Sequence, residues 1–291
     1  MTRILITGAC GFIGTELFDE LIKTDSQIVG IDISSKNPKV LAIDISLQES
    51  IQKIAAFKPE VIIHMAAQVD ILKSIQDPFF DLTTNVIGTL NLLQGGILGG
   101  VKNFIYLASG GSIYGSSQKL PLTERDQPGP ESPYGVSKLA GEFYVRTICT
   151  NNGIAWSSLA LSNCYGNPAK QKKGVIYNFW KGLKEGTPIY INGETTTRDF
   201  VHVSDVIKAI LLAINNPTFC RVHISSNTET KLSTLLELIS RRMEKTSEPI
   251  LKALPTGEIM RSRLDNTLAS TTLNWVPSIS IEKGIQISIL N

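Results

Sequence analysis

The stretch Thr7-Gly8-Ala9-Cys10-Gly11-Phe12-Ile13-Gly14 decides the fold. It follows a short apolar run, Arg3-Ile4-Leu5-Ile6, that reads as a strand, and it opens a helix-like segment from Thr15 to Lys23. Glycines set between a strand and a helix are the context of a dinucleotide-binding turn. Gly8 permits the tight turn, Gly11 lets the backbone approach a pyrophosphate, and Gly14 lets the helix pack on the strand. The helix amino terminus then offers free N–H groups and a partial positive charge to the phosphates. A second apolar run, Gln27-Ile28-Val29-Gly30-Ile31, ends at Asp32, 18 residues beyond Gly14. A ribose-binding carboxylate is expected after ~20 residues, and an acid there repels a 2′-phosphate, so Asp32 favours NAD over NADP. Lys36 and the Ser34-Ser35 pair leave NADP open, and a plain turn or cap is the other reading of Asp32.

Outward from this turn, strand-like runs at 3–6, 27–31, 39–43, 61–64, 103–108 and 154–161 alternate with stretches of helix length. That alternation predicts a doubly wound α/β fold, a parallel Rossmann sheet with helices on both faces. The runs are continuous in Val, Ile and Leu, as strands covered on both faces should be. After about residue 163 the rhythm breaks. Helices are predicted over 174–186, 204–215 and 232–245, an extended piece over 187–192, and a buried strand over Val222 to Ser225. The expected organisation is a cofactor lobe over 1–163, with 200–226 returning to it. A smaller carboxy-terminal substrate lobe is expected over 164–199 and 227–291.

Composition narrows the function classes. Of 291 residues 42% are hydrophobic and 19% charged, and the formal charge is +2, which is a globular balance. The densest basic cluster, Lys170, Lys172 and Lys173, reads as a solvated loop, so no nucleic-acid partner is expected. No run approaches the ~20 apolar residues of a membrane helix, and the first residues already form a strand rather than a signal peptide. The four cysteines (Cys10, Cys149, Cys164 and Cys220) match no metal spacing, so no metal is expected. They read as reduced thiols of a cytoplasmic protein.

The chemistry is carried by Pro133-Tyr134-Gly135-Val136-Ser137-Lys138. Tyr134 and Lys138 lie four residues apart, on one face of a helix. An ammonium beside a phenol lowers its pKa from ~10. A shift of ~3 units requires about 4 kcal/mol of differential interaction, to be shared by Lys138 and a positively charged nicotinamide. A hydroxyl partner is expected from the loop Ala108-Ser109-Gly110-Gly111-Ser112-Ile113-Tyr114-Gly115, at the carboxyl end of a strand, where ligands bind in open α/β sheets. Both Ser109 and Ser112 are candidates for binding a substrate hydroxyl.

With these residues in place the chain resembles the NAD-dependent epimerase/dehydratase family of extended short-chain dehydrogenases/reductases, with UDP-glucose 4-epimerase as its best-known type. The resemblance runs nearly end to end. Residues 7–14 match the family's cofactor loop, Asp44-Ile45 its adenine-contacting pair, and His64-Met65-Ala66-Ala67 its cofactor-bordering turn, which brings in Ala66 and Ala67. Asn85 begins a stretch like the family's central helix, and Tyr134 and Lys138 fall on the catalytic pair. Asn163-Cys164-Tyr165-Gly166 resembles the motif whose Asn contacts a nucleotide-sugar diphosphate. Arg198-Asp199-Phe200-Val201-His202-Val203-Ser204-Asp205 resembles the motif whose Arg grips that diphosphate, bidentate contact with phosphate being what the guanidinium fork suits. His202 is expected to be structural and Asp205 a helix cap.

Departures limit what the resemblance implies. Gly110 stands where members commonly carry the catalytic Ser or Thr, and Ser109 matches the variant with the hydroxyl one position earlier. The Asp-Glu pair of the sugar 4,6-dehydratases is absent from the loop, which argues against dehydration. Ala160 and Pro255-Thr256 stand where many members carry Arg, leaving Arg261 and Arg263 as substitutes, with Arg261 the candidate for phosphate. The resemblance implies an NAD-dependent nucleotide-sugar 4-epimerase of the UDP-hexose type. The alternative is an NAD(P)H-dependent 4-ketoreductase using the same Tyr134, Lys138 and serine. It also implies a homodimer formed through the helices holding Asn85 to Leu93 and Tyr134 to Arg146.

Overall fold

A computed structural model describes residues 1–35, 37–117 and 119–289; Lys36, which bore on the NADP reading, lies outside them. In chain order the strands are β1 (Arg3–Thr7), β2 (Gln27–Asp32), β3 (Val40–Ala42), β4 (Val61–His64), β5 (Asn103–Ser109), β6 (Ala155–Leu161), β7 (Asn163–Tyr165), β8 (Tyr190–Asn192), β9 (Thr197–His202), β10 (Arg221–Ile224), β11 (Glu229–Lys231) and β12 (Ile250–Lys252). Seven of them form one parallel sheet in the order β10-β6-β5-β4-β1-β2-β3. Its order reverses beside β1, which pairs Ile4 with Ile28 of β2 on one side and with Val61 of β4 on the other. A crevice at the carboxyl ends of the strands opens at such a reversal, and the glycine turn sits there.

Helices cover both faces of this sheet: α1 (Phe12–Leu21), α2 (Ser50–Ala56), α3 (Ile71–Gln76), α4 (Pro78–Leu82), α5 (Gly88–Gly99) and α6 (Pro133–Asn151). Successive strand residues point to opposite faces. Ile4 and Ile6 therefore join one buried layer with Leu17, Val206 and Ile210, while Leu5 joins the other with Leu92, Val145 and Phe104. Each such fully buried side chain contributes ~1.5–3 kcal/mol. Two covered faces are why the strands read as unbroken apolar runs. Between α4 and α5 the turn Thr83–Ile87 is a π-helix, a local widening often found at functional sites.

The rest of the chain is α7 (Pro168–Gln171), α8 (Gly174–Glu185), α9 (Val203–Asn215), α10 (Leu232–Met243), α11 (Thr267–Leu273) and α12 (Ile281–Ser288). Helix α9 and strand β10 return to the main sheet, where β10 pairs with β6 through Val222 and Leu159. Strands β7, β9 and β11 form a separate small sheet, and β8 pairs with β12. Tyr165, Phe179, Phe200, Leu235 and Ile239 pack in a second core under α8, α10 and α12. Asp205 does not cap α9 as expected. His202 does, accepting from Ser204 N at 3.2 Å through Nδ1, while Asp205 accepts from Ser278 Oγ at 2.6 Å and Ile279 N at 3.1 Å and ties the tail to the helix.

Candidate active site

The glycine turn is built by close approach. Gly8 adopts φ +70°, and a Cβ there would lie 2.8 Å from the Ala66 nitrogen; a Cβ on Gly14 would lie 2.0 Å from the Gly8 oxygen. Helix α1 starts at Gly11 with no side-chain cap, so N–H groups of its first turn face the crevice unbonded. That is a site for an anion. The turn is locked to β4 by Thr7, whose Oγ1 accepts from Met65 N and Ala66 N at 3.1 and 3.0 Å. His64 bridges Thr7 Oγ1 at 2.8 Å and Thr89 Oγ1 at 2.9 Å, and burial holds its pKa well below 6.5, so it is neutral at pH 7. The Ala66 backbone thus lies against the turn at Gly8.

Asp32, at the end of β2, accepts from Cys10 N at 2.9 Å and from Ile33 N at 2.8 Å. These bonds fix its carboxylate over the glycine loop while leaving lone pairs for ribose hydroxyls. Asp44 accepts from Ser46 N and Oγ at 2.9 and 2.7 Å, and the oxygen of buried Ile45 accepts from Asn91 Nδ2 at 2.9 Å. A cradle that a Cβ would fill, an uncapped helix end and a ribose-side carboxylate are what a dinucleotide requires. The residues present fit NAD.

Ser132 caps α6, accepting from Gly135 N at 3.2 Å, and so fixes Tyr134 and Lys138 at the mouth of the crevice. Tyr134 N donates to Ser74 Oγ at 3.1 Å, which anchors this first turn to α3. Lys138 lies buried with Nζ 4.2 Å from the centre of the Tyr106 ring. Of the two serines, Ser109 is the one close enough to the Tyr134 phenol to favour its ionisation. Ser112 sits behind it, its N–H 3.4 Å from Ser109 Oγ.

The phenol departs from the expectation. Burial outweighs Ser109 and pushes Tyr134 up to about 12, with the Asp81 charge acting the same way. Burial likewise pulls Lys138 down to about 7, opposed by Glu142 and Asp81. The reason is desolvation: in a dry site the loss of water penalises both charged forms more than the two groups support each other.

A cleft of about 170 Å³ opens beside Ser109, lined by Ser109, Ser112, Ser162, Asn163, Arg198 and Glu258, among others. Arg198 reaches it from β9 with its side chain only 11% exposed and pairs with Glu258 Oε2 at 2.8 Å. Its other nitrogen donates to the oxygens of Thr197 and Met260 at 2.9 and 3.3 Å. Arg261 does not line the cleft. Its side chain is 48% exposed and bound to Glu229 at 2.6 Å, so the expected phosphate contact is corrected to a surface ion pair. Arg263 donates to Asn227. The sequence reading missed Glu258 as the partner of Arg198, and Asp81. It also missed Glu142, which the spacing Tyr134, Lys138, Glu142 would have placed on one helix face. Among the described residues no group of three or more His, Cys, Asp or Glu side chains is arranged to hold a metal ion.

The chain is similar to known proteins along nearly its whole length. UDP-glucose 4-epimerase of Mycolicibacterium smegmatis is 35% identical over 97% of this chain and 96% of its own length. The solved UDP-glucose 4-epimerase of Thermotoga maritima, with UDP-glucose, superposes with a TM-score of 0.93 at 32% identity, covering 99% of this chain and 97% of that one. The Thermus thermophilus UDP-glucose 4-epimerase complex with NAD superposes with a TM-score of 0.89 at 27% identity over 99% and 97%. The family model that matches residues 4–224 spans the glycine turn, the Tyr134–Lys138 pair and Arg198, and by it the chain belongs to the NAD dependent epimerase/dehydratase family.

Proposed function

We propose that the protein is an NAD-dependent nucleotide-sugar 4-epimerase of the UDP-hexose type, acting through a transient 4-keto sugar. The observation that carries this reading is the Tyr134 phenol, beside Ser109 and followed one turn later by Lys138, with Ser109 and Arg198 lining one cleft. Gly8, Gly11, Phe12, Ile13, Gly14, Asp32, Asp44, Ile45, Ala66, Ala67 and Lys138 would hold NAD, which supplies a hydride acceptor and, in reduced form, a donor.

In this reading Arg198 exchanges Glu258 for the substrate diphosphate, a bidentate contact that Asn163 adjoins. Tyr134 takes the proton of the sugar's C4 hydroxyl and later returns it to the same oxygen. Ser109 holds that oxygen through both steps. The buried lysine supports the phenolate, and covered walls keep water from the ketone. The residues over 1–163 and 200–226 serve the cofactor, and those over 164–199 and 227–291 the sugar nucleotide.

The relatives described above carry the epimerase name, which supports this reading over a one-way NAD(P)H-dependent 4-ketoreductase. A homodimer belongs to the same reading. Phe79, Phe80, Leu82 and Ile87 beside Val136, Phe143 and Tyr144 form an exposed apolar face across α4, the π turn and α6. A cytoplasmic location also belongs to it; among the described residues no helix is long and apolar enough to cross a membrane. The test is conversion of UDP-glucose to UDP-galactose by purified protein, with the released nicotinamide nucleotide identified by mass. Tyr134→Phe should retain NAD and lose turnover by at least ~10²-fold. Turnover surviving that change would refute the assigned base.

A further inference from the structure

Helix α6 carries Tyr134, Lys138 and Glu142 at four-residue intervals, which stacks the three on the face turned to the sheet. Glu142 is buried, its side chain 7% exposed. It is gripped from two strands: Arg221 of β10 donates through Nε to both carboxylate oxygens, at 2.8 and 3.0 Å, and Ser158 of β6 donates at 2.7 Å. Arg221 is itself steadied by Tyr114, whose hydroxyl lies 3.1 Å from Nη1 and 2.7 Å from His223 Nε2. This is a large investment of buried polar contacts for a residue outside the cleft. An ion pair removed from water is seldom a gain in stability.

We propose that Glu142 is a positioning residue for the reaction: its carboxylate, one helical turn beyond Lys138 and clamped by Arg221 and Ser158, favours the ammonium form of that amine. The inference rests on Tyr134 and Lys138 being the catalytic pair. The titratable groups facing Lys138 are His64 from β4, Tyr106 from β5, Asp81 from α4, and Tyr134 and Glu142 from α6 itself. His64 and Tyr106 are held neutral by burial. The negative charges are therefore those of Asp81 and Glu142. They differ in reach. Asp81 acts on Lys138 and also on Tyr134, where it opposes the phenolate. Glu142 lies one turn beyond Lys138 and two turns beyond Tyr134 on the same helix. Its charge therefore bears more on the ammonium than on the base. Arg221 and Ser158 hold the carboxylate in one place.

The experiment follows the ¹³Cε resonance of Lys138 against pH in ¹³C-lysine-labelled protein, assigned by its loss in Lys138→Arg. Glu142→Gln should lower the titration midpoint by about one unit. The alkaline limb of the turnover profile should move down with it, because the ammonium is lost at lower pH. Ser158→Ala, which removes a contact and no charge, should leave the midpoint in place. Should Glu142→Gln fail to fold with Arg221 left unpaired, the double variant Glu142→Gln/Arg221→Gln carries the test, with a smaller fall of the same sign. A midpoint unmoved in whichever of these folds, or a Ser158→Ala shift equal to that of Glu142→Gln, overturns the proposal. A shifted midpoint in a protein that turns over no nucleotide sugar would refute the epimerase reading alone.

Discussion

At the scale of the residue, the loop after β5 offered two hydroxyls, and their relation to the Tyr134 phenol separates them. Ser109 meets the Tyr134 phenol, whereas Ser112 meets Ser109 through its backbone nitrogen. Ser109→Ala should therefore cut kcat by ~10²-fold, the usual loss of one well-placed donor. Ser112→Ala should stay within a few-fold of wild type. Steady-state kinetics of the two variants decides it, and equal losses would reverse the assignment. Tyr134 and Lys138 were legible in the sequence because four-residue spacing alone places two side chains on one helix face. Arg261 lies off the cleft, which spacing could not show: Arg198 also meets a carboxylate but lines the cleft, whereas Arg261 is half exposed beside Glu229 of β11. The phenol was misread for a related reason: a sequence shows the neighbouring ammonium but not the depth at which both groups are buried.

At the scale of the element, the turn from β1 to α1 depends on a glycine that local pattern and packing both demand. A methyl group on Gly14 would stand 2.0 Å from the Gly8 oxygen, a backbone atom that cannot swing aside. Gly14→Ala should force α1 off β1, costing about 1–3 kcal/mol of stability and most of the affinity for NAD. Thermal melts and an NAD titration check both, and unchanged values would show the turn to be looser than described. The parallel strands were readable because two covered faces write continuous apolar runs. Helix α1 begins at Phe12 rather than Thr15 because the glycine loop itself forms its first turn. The small sheet of β7, β9 and β11 was not readable. Its strands are three to six residues long, and its pairing joins segments far apart in sequence. The π turn at Thr83–Ile87 was also hidden. It holds Asn85, whose side chain accepts from Gln68 N at 2.8 Å and donates to Ser137 Oγ at 3.0 Å, and no periodicity announces such a bond.

At the scale of the whole molecule, buried histidines make stability depend on acidity. Burial pushes His223 from 6.5 down to about 4. The unfolded chain binds that proton near pH 6.5 while the folded chain refuses it until about pH 4. Between those values the unfolded state holds more protons, so stability falls as the pH drops through the window and is unaffected above it. The expected contribution of His223 is up to about 3 kcal/mol, and His64 acts in the same direction. Urea unfolding at several pH values should show this slope, and His223→Gln should flatten it; a wild-type curve flat between pH 6.5 and 4 would contradict the account. His223 and Arg221 both belong to β10, which closes the sheet beside β6 although Arg221 comes 60 residues after Leu161. A ribosome therefore releases the glycine turn, Tyr134 and Lys138 well before the strand that covers β6. Until Ile224 emerges, the nascent chain has a bare sheet edge and a Glu142 with no guanidinium. Bare edges invite pairing with other chains. Translation products that stop short of this late clasp would carry every cofactor motif and still be the copies that aggregate or are degraded.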